Sequence, residues 1–293
     1  MLAMLRDVLK DTTKKKYAIP AFNIFGFEDA KACIDAAEHL GAPVILATNK
    51  VALEHIPVAV FGRMLVTMAE QATVPVVIHL DHGADYETVA KAIHAGYSSV
   101  MYDGSQLPIE ENIRKAKEIV KLAHAFDIPV EAEVGSVAYR DKYRHIKQER
   151  TSPYDAQRFA VETGVDCLAV SVGSLHRMEE QTAEIDFELI KAIEAVVDIP
   201  LVMHGATGIS DENLRKLAAT SFGKVNIGTA LRMAFGRSLR KQMEADPVVY
   251  DRLELFPDAM EKVKQAAINK MLLLNSTRAN TLEEEMSNGE STD

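Results

Sequence analysis

The chain has 293 residues, a formal charge of −10 and only two cysteines. Excess acid without a basic run argues against nucleic acid as a partner, since its phosphates demand a concentrated positive surface. Isolated thiols at Cys33 and Cys167 argue against a disulfide framework and fit a reducing, cytoplasmic compartment. No stretch approaches the roughly 18 apolar residues of a membrane span. The first segment, MLAMLRDVLKDTTKKK, lacks the apolar core of a secretory signal.

In chain order, eight short apolar runs lie near residues 18–24, 43–48, 75–81, 98–103, 129–134, 167–173, 200–204 and 224–228, each followed by a helical pattern. Runs such as PVVIHLD and CLAVSVG are apolar throughout, which suits strands of a parallel sheet covered on both faces. After the fourth run, Ile109, Ile113, Ala116, Ile119 or Val120, and Ala123 recur at three and four residues, predicting a surface helix with one buried face. In SPYDAQRFAVETG, Ser152 reads as an N-cap, Pro153 as the first helical residue and Gly164 as the stop. Each parallel return needs a crossover, so strand then helix eight times predicts a (β/α)8 TIM barrel, with residues 1–276 as its single domain. The acidic remainder, residues 277–293, reads as a mobile tail.

Polar residues gather where these runs end. They are Asn23, Asp81 with His82, Asp103 and Ser105, Glu131 and Glu133, His176, His204, and Asn226 with Thr229. Taken singly, an acid there is ordinarily a cap or a solvated loop residue, and a histidine a hydrogen-bonded structural one. Their concentration at one end of successive strands, where barrel enzymes carry their chemistry, points instead to a shared site. Imidazoles from distant strands can converge on one divalent cation, zinc above all. Within HLDH, alternation sends His79 and Asp81 to one side and leaves His82 at the loop start. His39, His55, His94 and His124 fall in helical segments, facing solvent or packing. The turns GATG and NIGT expose backbone N–H groups suited to an anion, and Ser210 and Asp211 read as caps of the following helix.

The ordered set YAIPAFNI, PVVIHLDHG, SVMYDGS, EENI, PVEAEVG, TGVDCLAVSVGSLH, PLVMHGATGIS and KVNIGTALR resembles the class II, metal-dependent fructose/tagatose-bisphosphate aldolases, from about residue 17 to residue 276. Lacking the arginine-bearing C-terminal insertions of longer members, the chain is more similar to the shorter tagatose-bisphosphate type. The resemblance implies that His82, His176 and His204 bind Zn2+, replaceable by Co2+, with Glu133 as an alternative metal position and Asp103 and Glu131 orienting imidazoles. It implies cleavage of a small phosphorylated ketose to dihydroxyacetone phosphate and an aldehyde. Asp81 would exchange a proton with the hydroxyl that becomes the aldehyde carbonyl, a task suited to a raised pKa. Asn226 would hydrogen-bond the enediolate. Gly205, Thr207, Gly228 and Thr229 would hold the phosphate, with Asn23 beside the substrate and a monovalent cation near the phosphate. A homodimer or homotetramer is the expected assembly.

Two departures stand out. The family has glycine where this chain has Arg177, which either grips an anion or turns toward acids such as Glu179. In the loop VGSVAYRDKYRHIKQER, Asp141 stands at the spacing of the acid that removes the C–H proton, without the family's double glycine; basic Arg140, Lys142, Arg144 and His145 surround it. Imine chemistry would need a lysine near a strand's C-terminal end, whereas Lys224 opens the eighth run at the other end. A metal hydrolase of the commonest barrel type would carry a His-x-His pair where this chain has FNI. The non-enzymatic alternative is a catalytically silent, metal-binding partner subunit of an aldolase assembly.

Overall fold

The computed structural model describes residues 1–138 and 148–279; Asp141, its basic neighbours and the tail from residue 280 lie outside the described residues. Eight parallel strands close a barrel in sequence order: β1 Ile19–Asn23, β2 Val44–Thr48, β3 Val76–Gly83, β4 Ser99–Tyr102, β5 Val130–Val134, β6 Cys167–Val170, β7 Leu201–Met203 and β8 Phe222–Ile227. Every strand pairs in parallel with its neighbour, and β1 closes the ring on β8 through the register Ala21 to Asn226. A (β/α)8 barrel is thus the fold, as the repeated strand–helix pattern predicts.

The intervening helices carry the local signals read from sequence. In Ile109–His124, Ile113, Ala116, Ile119, Val120 and Ala123 are buried against the sheet. Ser152 accepts from Asp155 N–H at 3.1 Å, and Gly164 ends that helix at φ 69°, where a side chain would be strained. Ser210 accepts from Asn213 N–H at 3.2 Å, while the Asp211 carboxylate takes Gln181 and Lys270 instead of capping. The exposed His39, His55, His94 and His124 sit in helices. No described helix is long and apolar enough to cross a membrane.

Each strand differs from the sequence reading by one to three residues at one or both ends, and three boundaries bear on the argument. β6 stops at Val170, because the chain then turns into a loop whose Ser171 N–H is taken by the Thr151 hydroxyl at 2.7 Å. β8 starts at Phe222, so Lys224 is its third residue and not its opening one. Residues 277–279, assigned to the tail from sequence, belong to a short 3-10 turn pinned where the Ser276 hydroxyl donates to Ala18 O at 2.8 Å.

The apolar interior has two parts. One lies between sheet and helices; the other lies inside the barrel, where Ile19, Ala21, Ile45, Ala47, Val77, Met101, Cys167, Ala169 and Val202 meet Leu5, Val8 and Leu9 of the N-terminal helix Leu5–Leu9 and Tyr17. Those first residues plug the N-terminal end of the barrel. The other end, where the strands finish, is left for polar side chains.

Candidate metal and catalytic site

Strand β3 delivers two neighbouring polar residues to one mouth. Regular alternation would aim Asp81 inward and His82 away, but the ladder to β4 shifts register between Leu80 and Gly83 and His82 takes φ 52°. This irregularity turns both side chains into the same space, with His82 Nε2 3.9 Å from Asp81 Oδ1. Asp81 is almost fully buried and has no freedom to swing: Asn23 donates to its Oδ2 at 2.7 Å and Asn226 to its Oδ1 at 3.0 Å. Both oxygens accept, an arrangement that favours the ionised form.

Three imidazoles meet above Asp81. The ring centroids of His82 and His176 are 5.1 Å apart, those of His82 and His204 4.7 Å, and those of His176 and His204 5.8 Å, each pair edge to face. One ligand nitrogen from each ring lies within 4.8 Å of the others. His82 Nε2 faces His204 Nδ1 at 3.0 Å. At that spacing two lone pairs repel unless a proton or a cation lies between them. The remaining nitrogens are already committed: His82 Nδ1 bonds Asp103 Oδ2 at 2.7 Å and His204 Nε2 bonds Glu131 Oε1 at 2.8 Å. Carboxylates on the outer nitrogens fix the tautomers and leave inward lone pairs, so this donor set fits a divalent metal. Asp103 is itself held by the N–H and hydroxyl of Ser105, at 3.1 and 2.7 Å. Glu133 is close enough to form a second group with His82 and Asp103, and accepts from Val137 N–H at 3.0 Å.

Gly205 explains how two ligand loops pack together. It adopts φ 69°, and a Cβ there would stand 2.6 Å from the Leu175 carbonyl oxygen, just ahead of His176. Beyond it, the 3-10 turn Ala206–Gly208 faces the N-terminus of the helix Thr229–Ala245, where Ala230 N–H reaches the Thr207 hydroxyl at 3.2 Å. A Cβ on Gly228 would come 2.9 Å from Asn23 Oδ1. Bare backbone beside a helix N-terminus suits an anion.

Charge follows from burial and these neighbours. Burial pushes the Asp81 carboxyl upward, but the imidazoles of His82 and His204, the Lys224 ammonium and His79 outweigh it and hold Asp81 well below the usual range. The sequence expectation of a raised value is therefore reversed in the metal-free protein. For Glu133, burial and the adjacent Asp103 charge push the value up to about 8. Burial opposes a charge on His82, yet Asp81 and Asp103 raise it well above normal; in His176 and His204 burial and their fellow imidazoles prevail, lowering both.

The cavity over this cluster encloses about 1060 Å³, counting its open mouth. It brings together Asn23, Asp81, His82, His176, Arg177, Gly205, Thr207, Asn226, Gly228 and Thr229 as the sequence suggests, and Asp141 alone of the proposed residues falls outside the described chain. It also adds Asn49, Lys50 and Arg232. Two signals for these exist in the sequence. Asn49 follows the run VILAT and caps the next helix, accepting from Ala52 N–H at 3.2 Å. Arg232 is three residues past Thr229, hence on the same helical face, and stacks over Phe25 at 5.3 Å.

Barrel and mouth together define an enzyme-like site in which a buried carboxylate lies beside three histidines able to hold a metal. A family model described as fructose-bisphosphate aldolase class-II matches residues 3–279. The 6-phospho-5-dehydro-2-deoxy-D-gluconate aldolase of Shouchella clausii (strain KSM-K16) is 37% identical over 273 residues, covering 92% of each chain. The crystal structure of the YdjI aldolase from Escherichia coli K12 superposes with a TM-score of 0.85 at 36% identity, over 94% of this chain and 98% of that one. The fructose-bisphosphate aldolase of Campylobacter jejuni, at 19% identity, shows the fold alone, with a TM-score of 0.81 over 95% of this chain and 97% of its own. This chain belongs to the class II fructose-bisphosphate aldolase family. It is a metal-dependent lyase that performs aldol cleavage.

Proposed function

We propose that this enzyme reversibly cleaves a phosphorylated ketose to dihydroxyacetone phosphate and an aldehyde, using Zn2+ held by His82, His176 and His204. The observation that carries this reading is the Asp81 carboxyl group, clamped by Asn23 and Asn226 beside the three convergent imidazoles. A divalent cation bound there acts as a Lewis acid for the negative charge that carbon–carbon scission leaves on the ketone fragment. In cleavage, Asp81 takes the proton of the hydroxyl on the carbon that becomes the aldehyde; in condensation it returns that proton. Asn226 donates to the enediolate region. Asp141 is proposed as the group that exchanges the C–H proton, and Glu133 as an alternative metal ligand.

The phosphate goes to the bare backbone of Gly205 to Gly208 and of Gly228 and Thr229, with a monovalent cation beside it. The Shouchella clausii relative is named for a substrate with phosphate next to the ketone and a carboxylate at the far end. Arg177, Lys50 and Arg232 line the cavity and provide cations for such an anionic substrate. We assign the working form to the cytoplasm as a homodimer or homotetramer, which light scattering at assay concentration would test. The central test is metal stripping: a chelator is expected to abolish cleavage, and Zn2+ or Co2+ to restore it. Turnover that ignores chelation would overturn the mechanism.

A further inference from the structure

Lys224 is among the largest fully buried side chains of the protein and takes no part in the proton transfers. From the middle of β8 it points into the barrel, its Nζ 2.7 Å from Glu131 Oε2, with both side chains sealed from solvent. The approach is an ion pair rather than a well-directed hydrogen bond. Taking two charges out of water costs several kcal/mol per ion, and an apolar pair of equal volume is often as stable or more so. Stability alone therefore does not account for an ammonium in this place.

Glu131 has two sides. Oε2 faces Lys224, and near it lie two competing donors, Cys167 Sγ at 3.8 Å and His79 Nε2 at 3.5 Å. Oε1 faces His204 Nε2 at 2.8 Å. An anionic carboxylate can only accept, so His204 must donate from Nε2 and keep its Nδ1 lone pair for the space shared with His82 and His176. A carboxylate free to rotate toward Cys167 or His79 would release that constraint. We propose that Lys224 is a positioning residue for the metal centre: its ammonium pins Glu131, and Glu131 in turn fixes the tautomer and orientation of His204. The inference rests on the three-histidine reading of the metal site.

The test measures Co2+ and Zn2+ affinity by competition with a chromophoric chelator, alongside the thermal midpoint of the metal-free protein. His176→Ala serves as a control and is expected to weaken binding strongly. Lys224→Met is expected to weaken it about 10-fold, the low end of the loss for an outer partner of a ligand, because Lys224 acts through Glu131. Lys224→Met also strands the Glu131 charge and lowers the midpoint, so Glu131→Gln and the double variant Lys224→Met/Glu131→Gln are measured beside it. A Lys224 that acts through Glu131 predicts that the double variant recovers the midpoint and binds metal no more weakly than Glu131→Gln alone. Wild-type affinity in folded Lys224→Met, or a further loss when Lys224→Met is added to Glu131→Gln, overturns the role of Lys224. Should His176→Ala leave affinity unchanged, the histidine trio itself is wrong and the failure lies there.

Discussion

The two ends of the barrel are built from the same strands and differ in almost everything else. Along β3, Val77 joins the apolar plug, His79 two residues on is buried among Glu131 and Ser99, and Asp81 two further on faces the cavity. Val202 in β7 and His204 just past its end make the same step. Side chains two apart on a strand share a face, so these two staves climb from hydrocarbon to polar groups in steps of about 7 Å. Left-handed residues also occur at the plug end, at Lys16, Asp127 and Asn275, where they follow the ends of helices. Those at His82, Arg177 and Gly205 lie at the mouth, where strain is tolerated because it aims a functional group. Stability and reactivity are thus separated along the barrel axis.

Asp81→Ala should separate the two ends most sharply. Loss of a positioned proton-transfer group is expected to lower turnover about 10²- to 10⁴-fold. Metal content should stay near wild type, since Asp81 touches the ligands only at 3.9 Å. Steady-state kinetics with metal analysis on the same sample checks this. Near-normal turnover would remove Asp81 from its role.

The reciprocal change belongs in the plug. Leu5 is fully buried against the barrel interior, so Leu5→Ala is expected to cost about 2–5 kcal/mol of stability through lost contacts and a residual cavity. Turnover of the protein that remains folded should be unchanged, as chemical denaturation and kinetics below the transition would show. A parallel fall in turnover would mean that the plug and the mouth are mechanically coupled.

How far the sequence foretells each end follows from the same geometry. The eight staves were legible because buried parallel strands are uninterrupted apolar runs, and the helix ends because Ser152, Ser210 and Gly164 act on their immediate neighbours. Converging histidines were legible because strand ends in this fold share one rim. What could not be read was the turn at His82, since a register shift depends on how β4 lies against β3 and not on the local string. Nor could the reversal at Asp81 be read, because it sums charges from β3, β7 and β8 that are far apart in sequence. The plug was missed for a related reason: MLAMLRDVLK is amphipathic, but only the closed barrel supplies the hollow that its leucines fill.

The middle layer, between plug and mouth, should reveal itself through acid. His79 is fully buried, and burial together with the Lys224 charge lowers its value to about 3. A histidine that is harder to protonate when folded makes the unfolded chain bind more protons between about pH 6.5 and pH 3, so its contribution to stability is complete above 6.5 and declines as pH falls. Glu131, lowered to about 2 by Lys224 and His204 against its burial, acts in the same sense below about pH 4.5. Glu133, raised to about 8, has the opposite sign: its contribution is present at low pH and lost as pH rises toward 8. His79→Gln should therefore lower the pH slope of metal-free stability by up to about 1.4 kcal/mol per pH unit between roughly pH 6.5 and 4.5. Urea titrations across that range check it, and parallel slopes for the two proteins would show that His79 already carries its proton in the folded state.

Arg177 offers the smallest effect and the finest discrimination, because at this one residue the mouth's strain and its chemistry can be separated. Its φ of 58° lies where an L side chain costs about 1–2 kcal/mol. Glycine would relieve that strain but would give back about 0.5–1 kcal/mol through the extra freedom of the unfolded chain. Arg177→Gly is thus expected to stabilise the protein by about 0.5–1 kcal/mol. The guanidinium lines the cavity, partly open to water, so its loss should raise KM for a phosphorylated or carboxylated ketose about tenfold, the worth of one screened charge-assisted hydrogen bond. The turnover number should change less, since Arg177 is separate from the groups that move protons. Opposite signs in the two measurements would show that the strained backbone is retained for binding. A stabilised variant with unaltered KM across a panel of ketose phosphates would assign Arg177 to the neighbouring acids and leave recognition of the anion to the backbone of Gly205 to Gly208 and the helix that begins at Thr229.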